Sequence, residues 1–368
     1  MIVSVITLQN IRNYGSVLQT LATQELLSNY FDEVEFVNYS RCNTYGFNLI
    51  KTIATNNNKG IKAVCFGIAL IPTYYRWENL FESFLKKYIK KITKDIYVSE
   101  NDFFRKPIKA DVYCAGSDQI WNSGWNKEIL NPLFLSYAEG FKFSLSSSFG
   151  KDTLDFKEKE ETKSLLESFK FISVRENTGV NILKDLGLDG IQILDPTLQM
   201  KKEYWESIAA DRIIDGDYLL TYQLNRNSAF DKYVIEFARE NNLKLVQICI
   251  RYDHFVRKGT KIFLPEVEEF LSLFKYANYV TTDSFHGLSF CINLNKQFSV
   301  IYPGEYSTRL SSVLNKFGLE NRKIINYDTY SQYNEKISFD NINKMLSKER
   351  EKCTNYLDMV FEGIMRDF

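Results

Sequence analysis

The sequence is poor in the residues and motifs that usually mark metal, disulfide or dinucleotide chemistry. It has 368 residues but only two histidines, and its six cysteines are scattered without a C-x-x-C pair. Such cysteine usage is typical of a reducing compartment and indicates neither a disulfide framework nor a zinc site. The fingerprints G-x-G-x-x-G and G-x-x-x-x-G-K-[ST] are also absent, which disfavours ordinary dinucleotide and P-loop binding. We therefore expect no metal and no cofactor.

Charge and hydropathy disfavour binding to nucleic acid and insertion across a membrane. Lysine plus arginine total 46 and aspartate plus glutamate total 46, so no bulk field favours nucleic acid. Residues 1–8 read as a first β-strand rather than a basic leader, which predicts a cytoplasmic protein. The apolar stretch 61–75 is too short to span a bilayer and contains Pro72. Peripheral contact with the inner face of the membrane stays open, as does homo-oligomerisation.

Short apolar runs alternate with helical patterns, which predicts an α/β protein with parallel sheets and helices on both faces. The rhythm restarts near residue 200, so we expect two Rossmann-like domains, 1–199 and 200–339, facing a cleft. Residues 40–75 break the rhythm and read as an insertion or mobile loop. Residues 340–368 carry apolar residues at helical spacing and predict an amphipathic helix that packs back. The predicted strands cover residues 2–8, 34–38, 111–115, 143–148, 170–174, 191–194, 218–223, 243–250, 278–282 and 298–302.

The strongest candidate for chemistry lies where the predicted strand 278–282 runs into a helix. The carboxyl end of a strand and the N–H groups that open a helix attract anionic ligands. His286 falls in the first turn of that helix, and its position and the scarcity of histidine favour a functional role. Asp283 before it is interpreted as a helix cap, because a carboxylate at that position accepts the backbone N–H groups of the first turn. The other histidine, His254, lies in a polar stretch that reads as a loop.

Polar side chains follow several other predicted strands. Ser117 and Asp118 come after the strand 111–115, where they either bind a ligand or form a turn and cap a helix. Arg175 ends another strand and can hold a phosphate or carboxylate with two parallel hydrogen bonds, or pair locally with Glu176. Asn13 lies in the loop after the first strand. The sequence therefore predicts ligand contacts at the carboxyl edges of both sheets.

These motifs, taken in order over roughly residues 1–325, resemble the polysaccharide pyruvyl transferase family. The resemblance implies a GT-B-like pair of domains and transfer of a pyruvyl group from phosphoenolpyruvate to a sugar. It also matches His286 to a catalytic histidine and Arg175 to a donor-binding arginine. The segments that carry it are Gly116-Ser117-Asp118-Gln119-Ile120-Trp121-Asn122, Ser173-Val174-Arg175-Glu176, Leu194-Asp195-Pro196-Thr197 and Thr282-Asp283-Ser284-Phe285-His286-Gly287.

One departure from the family pattern concerns the donor. Better-known branches carry Arg-Leu-His where this chain has Ser284-Phe285-His286, so a cation expected beside the donor is missing. Either Arg309 or Lys296 replaces it, or the donor differs. We favour Arg309, because the phosphate and carboxylate of phosphoenolpyruvate need cations. The expected site then has catalytic His286, donor-binding Arg175, Arg309, Ser284 and Lys296, acceptor-binding Asn13, Ser117 and Asp118, and orienting Asp283, Glu176 and Gly287.

Two alternatives remain open at this point. A GT-B glycosyltransferase using a nucleotide sugar has the same architecture and needs no bound metal. A non-catalytic glycan-binding or lipid-binding subunit would explain the missing arginine at position 284. In the leading interpretation the acceptor is a sugar of a surface polysaccharide, such as a capsule or exopolysaccharide, or a lipid-linked oligosaccharide.

Overall fold

The structure is a computed structural model that describes residues 1–126, 128–225, 227–302, 308–328, 330 and 334–367. Its strands are β1 (Ile2–Ile6), β2 (Glu33–Phe36), β3 (Val112–Ala115), β4 (Phe141–Ser144), β5 (Ser173–Val174), β6 (Ile191–Gln192), β7 (Tyr218–Tyr222), β8 (Lys244–Cys249), β9 (Thr260–Phe263), β10 (Tyr279–Thr282) and β11 (Gln297–Val300).

Helices alternate with these strands along most of the chain. They are α1 (Tyr14–Leu27), α2 (Asn48–Asn57), α3 (Gly60–Tyr88), α4 (Glu100–Arg105), α5 (Ser123–Asn126), α6 (Phe156–Leu166), α7 (Asn177–Asp185), α8 (Pro196–Gln199), α9 (Lys202–Ile208), α10 (Ser228–Glu240), α11 (Val267–Tyr276), α12 (Phe285–Asn293), α13 (Thr308–Phe317) and α14 (Phe339–Asp367). The sequence pattern also predicts a helix over residues 306–316, and its first two residues lie outside the described residues.

The chain divides into two compact units, and the first contains Met1–Thr52, Phe84–Gln199 and Ser347–Phe368. Its sheet is parallel in the order β2-β1-β3-β4. Single parallel bridges join Phe143 to Phe171 and Ser147 to Val174, so the short pair β5-β6 continues the same sheet. Strands β3 and β4 are buried at every position, as expected for central strands of a parallel sheet covered on both faces.

The second unit contains Ile53–Ser83 and Met200–Leu346, and its sheet has the parallel order β11-β10-β7-β8-β9. The prediction of parallel α/β sheets is therefore confirmed in both units. Edge strand β9 was not predicted; its four residues are only half buried, so they lack a strong apolar signal. His254 lies in a 3-10 turn, Tyr252–Val256, and its side chain is buried although Tyr252, Phe255 and Val256 are exposed.

The stretch 40–75, predicted as an insertion or mobile loop, is largely helical, which corrects that prediction. It contains α2 and the first half of α3, and Pro72 lies inside α3. Pro72 lacks an N–H donor for the carbonyl of Ile68 four residues earlier. Both residues are exposed, so water can satisfy that carbonyl. Among the described residues, no helix has both the length and the apolar character needed to cross a membrane.

The last helix returns to the first unit, as the amphipathic pattern predicts. The Tyr356 hydroxyl donates to the backbone oxygen of Ser144 at the end of β4, 2.7 Å away. The Tyr30 hydroxyl donates to Asp358 Oδ1, also at 2.7 Å. Because residues 347–367 of the helix belong to the unit that contains β1, this unit is assembled from distant parts of the chain.

The six cysteines are all free thiols, and four of them are buried. Cys42 and Cys65 are exposed. Burial raises the pKa of the Cys249 thiol to about 11, although Arg257 and Lys261 act in the opposite direction. The buried thiols are therefore packing residues without thiolate character.

Candidate functional site

The second sheet reverses its strand order between β7 and β10. From β7 the chain passes through α10 to β8 on one side, whereas β10 lies on the other side of β7. In open parallel sheets, ligands bind beyond the carboxyl ends of the strands at such a reversal. The segment from Asp283 to Gly287 begins at this point, directly after β10.

Asp283, at the end of β10, accepts hydrogen bonds from the loop that follows β7. Its Oδ1 accepts from the Leu224 N–H at 2.7 Å, and its Oδ2 accepts from the Asn225 N–H at 2.7 Å and the Asn225 side-chain amide at 3.2 Å. Burial raises the pKa of this carboxyl group, against the lowering effect of the N–H donors. The expected helix-capping role of Asp283 is wrong, because the side chain bonds across the sheet edge instead.

Ser284 is the residue that caps α12. Its Oγ accepts from the Gly287 N–H at 3.2 Å, so a donor-binding role would need this bond to open or to be shared. The Thr282 hydroxyl accepts from the Ser284 N–H at 3.0 Å and donates to the Tyr222 carbonyl at 2.6 Å. Together these bonds fix the angle at which β10 enters the helix.

His286 is buried in the first turn of α12, 7% exposed. Its ring lies edge-on to Phe285 with centroids 5.2 Å apart. Arg309, in the first turn of α13, places its guanidinium 5.8 Å from the centroid of the same Phe285 ring. The fold therefore brings both Arg309 and His286 to the side chain of Phe285, and Arg309 is partly buried there.

Lys296 is not brought into this group. It precedes β11, and its ammonium donates to the carbonyl of Ala277 at 3.3 Å, before β10 begins. Since β10 and β11 are parallel, this is the amino edge of the sheet, and His286 lies beyond the carboxyl edge. Its predicted place beside the donor is therefore corrected.

Gln223 was missed by the sequence reasoning. It follows β7 directly and is fully buried, yet neither its amide nitrogen nor its oxygen has a hydrogen-bond partner among the described residues. A buried polar group left unsatisfied costs about 1–3 kcal/mol. Gln223 is therefore a candidate ligand-binding residue, and its position one residue past a strand was the signal that could have found it.

In the first unit, Arg175 lies at the centre of a buried carboxylate cluster. Its Nε is 2.9 Å from Glu176 Oε1, its Nη1 is 2.9 Å from Asp195 Oδ2, and Nη1 is 3.8 Å from Asp118 Oδ1. Burial acts to lower the pKa of the guanidinium, but the carboxylates of Glu176, Asp195 and Asp118 outweigh it and raise that pKa. This geometry favours a positioning role over direct contact with a donor, and the donor-binding role stays a prediction.

The predicted acceptor-binding residues lie around the same cluster. The Ser117 hydroxyl donates to Asp195 Oδ2 at 3.1 Å, and the Ser16 hydroxyl donates to Asp118 Oδ2 at 3.0 Å. Asp118 has a φ of 80°, a backbone conformation that costs roughly 1–3 kcal/mol in a residue with a side chain and is common at binding sites. Asn13 caps α1 by accepting from the Gly15 N–H.

Solved structures with a similar course of the chain are enzymes of nucleotide sugars and sugar transfer. A UDP-GlcNAc 2-epimerase from Methanocaldococcus jannaschii is 13% identical, with a TM-score of 0.47 over 95% of this chain and 94% of its own. A co-structure of S. aureus MnaA with UDP gives 11% identity and a TM-score of 0.49, over 97% and 96% of the two chains. Phytolacca americana UGT2 gives 10% identity and a TM-score of 0.45, over 99% of each chain. Likenesses this weak carry no argument about function.

Two Rossmann-like units, each with a parallel sheet, and a final helix that returns to the first unit define a GT-B-like fold. A family model for polysaccharide pyruvyl transferases matches residues 13–305, most of the chain. The chain therefore belongs to the polysaccharide pyruvyl transferase family, whose members are transferases. No curated protein matches the sequence.

Proposed function

We propose that the protein transfers a pyruvyl group from phosphoenolpyruvate to two hydroxyl groups of a sugar in a surface polysaccharide or its precursor, forming a pyruvate ketal. The observation that carries this proposal is the burial of His286 in the first turn of α12, at the carboxyl edge of a parallel sheet, in a chain of this family. The N–H groups of such a turn favour an anionic donor.

The chemistry requires a proton carrier beside the donor. His286 in its charged form donates a proton to the methylene carbon of phosphoenolpyruvate, and the neighbouring C2 becomes cationic. A sugar hydroxyl oxygen bonds to C2 and its proton returns to the now neutral His286, and the C2–O bond to phosphate then breaks. A second hydroxyl of the sugar bonds to C2 and its proton passes to the departing phosphate, which leaves a ketal and inorganic phosphate. Proton transfer by a positioned side chain of this kind typically raises the reaction rate about 100- to 10,000-fold.

The remaining roles follow from charge and position. Arg309, held against Phe285, supplies the positive charge that Ser284 does not provide. In the first unit, Asn13, Ser117 and Asp118 contact the acceptor, and Glu176 orients Arg175.

The decisive experiment is phosphate release from phosphoenolpyruvate over a panel of acceptor glycans. His286→Asn is expected to lower turnover about 100-fold or more while leaving the urea unfolding midpoint unchanged. Ser289→Ala is the matched control in the same helix, since the one hydrogen bond of its hydroxyl to a described residue goes to the carbonyl of Phe285 in the preceding turn. Wild-type turnover in His286→Asn would remove His286 from the mechanism. Thermal stabilisation by UDP-sugars and not by phosphoenolpyruvate would favour a glycosyltransferase instead.

We also propose that the outer face of α3 contacts the surface of a bilayer. In the first half of the helix, residues 61–75, every exposed side chain except Lys62 is apolar or aromatic, and the large ones recur at helical spacing: Ile61, Val64, Ile68, Ile71 and Tyr75. Exposed Lys59 and Lys62 flank the start of this face and complement anionic headgroups. Such an arrangement suits an enzyme whose acceptor is lipid-linked.

Co-sedimentation with vesicles tests the membrane contact. We expect the protein to bind anionic vesicles that contain phosphatidylglycerol and to bind neutral phosphatidylcholine vesicles more weakly. Ile68→Ser removes one apolar side chain from the face and is expected to lower vesicle binding about tenfold. Replacing exposed Phe156, which lies on α6 in the first unit, is the control. Equal sedimentation of wild type and Ile68→Ser would contradict the proposal.

A further inference from the structure

The first unit contains a buried arginine that the mechanism above does not use. Arg41 follows β2 and is 8% exposed. Its Nη1 donates to Asn126 Oδ1 at 2.9 Å, and its guanidinium carbon lies 4.0 Å from the centroid of the Trp125 ring. Both partners are neutral, so neither cancels the charge.

The opposite edge of the same guanidinium consists of Nε and Nη2. Among the residues that the structure describes, neither Nε nor Nη2 of Arg41 has a hydrogen-bond partner, and no carboxylate oxygen lies within ion-pair distance. The Nε–Nη2 edge is one that binds carboxylates and phosphates through two parallel hydrogen bonds. A buried cation without a counter-ion is costly, which makes this edge an unusual feature of a folded protein.

The neighbouring groups do not supply the missing negative charge. Burial raises the pKa of Tyr39 to about 12, so its phenol is neutral near pH 7. Asp118 attracts Arg41 at longer range, but its Oδ1 accepts from the Gln119 N–H at 2.8 Å and its Oδ2 from Ser16 at 3.0 Å. The guanidinium itself stays charged, because arginine is protonated at any physiological pH.

We propose that the Nε–Nη2 edge of Arg41 binds an oxyanion carried by the acceptor, so that the preferred acceptor is an acidic sugar bearing a phosphate or a carboxylate. Trp125 and Asn126 hold the guanidinium in place, which reduces the freedom lost on binding. The inference rests on the proposed function only in calling the bound sugar an acceptor. The site itself lies within the first unit and needs no donor.

Calorimetric titration of the full chain without phosphoenolpyruvate tests this site. Glucose 1-phosphate and glucuronate represent the two sources of the oxyanion, and methyl glucoside is the neutral comparison. At least one anionic sugar is expected to bind about 10- to 100-fold more tightly than the neutral one, and the tighter of the two identifies the source. Equal affinity for all three sugars would overturn the proposal, and this comparison needs no variant.

Variants assign the preference to Arg41. Arg41→Gln is expected to remove the preference for anionic sugars. Arg41→Lys is expected to retain part of that preference, because lysine keeps the positive charge but lacks the paired N–H donors of the guanidinium. Arg309→Gln and His286→Asn are expected to keep it, which separates this site from the proposed donor site. An anion preference that survives in folded Arg41→Gln would refute the assignment. A persistent preference in a protein that releases no phosphate from phosphoenolpyruvate would refute the proposed function alone.

Discussion

Gly287 allows the most direct test of how closely α12 must approach β10. An alanine Cβ at this position would lie 2.4 Å from Oγ1 of Thr282, 3.1 Å from its Cβ and 3.2 Å from its Cγ2. Ordinary contact starts at 3.4 Å, so relief of the shortest contact alone needs a shift of about 1 Å, the difference between 3.4 and 2.4 Å. Thr282 cannot simply rotate away, because its hydroxyl bonds both Tyr222 and Ser284.

Gly287→Ala is therefore expected to destabilise the protein by about 1–3 kcal/mol, the usual cost of overpacking. A misplacement of about 1 Å can also lower the rate of a positioned reaction by roughly 100-fold. Urea unfolding followed by circular dichroism measures the first effect, and phosphate release from phosphoenolpyruvate measures the second.

Ser289→Ala, in the same helix, serves as the control and adds no atom. It is expected to change stability by no more than about 1 kcal/mol and to keep wild-type turnover. If Gly287→Ala unfolded at the same urea concentration as the wild type, close contact between α12 and β10 would not hold His286 in place. Loss of stability with wild-type turnover would instead show that the reaction tolerates the shift.

Three further variants test individual charged residues, two in the second unit and one in the first. Burial raises the pKa of Asp283, so the folded state binds the proton of this carboxyl group more tightly than the unfolded state does. The contribution of Asp283 to the free energy of unfolding therefore falls as the pH rises from about 4, the unfolded pKa, to the raised pKa of the folded state. The difference in unfolding free energy between wild type and Asp283→Asn should shrink over that range, and a widening difference would contradict the direction of the pKa shift. Arg175→Gln leaves buried Glu176 and Asp195 unpaired and should cost about 3–5 kcal/mol in urea unfolding, so a loss below about 1 kcal/mol would refute the cluster's role. Arg309→Gln should lower the affinity for phosphoenolpyruvate, measured by thermal stabilisation, about tenfold, and should leave the urea unfolding midpoint unchanged. Unaltered affinity would exclude Arg309 as the replacement cation.

The alternating pattern predicted both parallel sheets because buried parallel strands are apolar at nearly every position, a signal that the sequence carries locally. Strand β9 lacked this signal, since it is an edge strand with half-buried residues. The helices between residues 48 and 75 were missed for a related reason. The asparagine-rich sequence and Pro72 locally disfavour a helix. The helix forms nevertheless, because burial of Leu70 and Tyr74 stabilises it.

The candidate site was predictable where one short segment carries it and not where distant residues meet. His286 and Arg309 could be named because each lies at the start of a helix. The environment of Arg41 depends on Trp125 and Asn126, more than 80 residues further along the chain, and no local pattern reveals such a contact. The placement of Lys296 failed for the same reason, because spacing alone does not say at which end of a sheet a loop lies.

The return of α14 to the first unit has a consequence for biosynthesis. The surface around Ser144 that receives Tyr356 is made early, whereas the covering helix emerges about 150 residues after Gln199. At a synthesis rate of roughly 5–20 residues per second, that surface stays bare for about 7–30 seconds on the ribosome. During this interval the nascent chain is a natural client for chaperones that shield apolar surfaces.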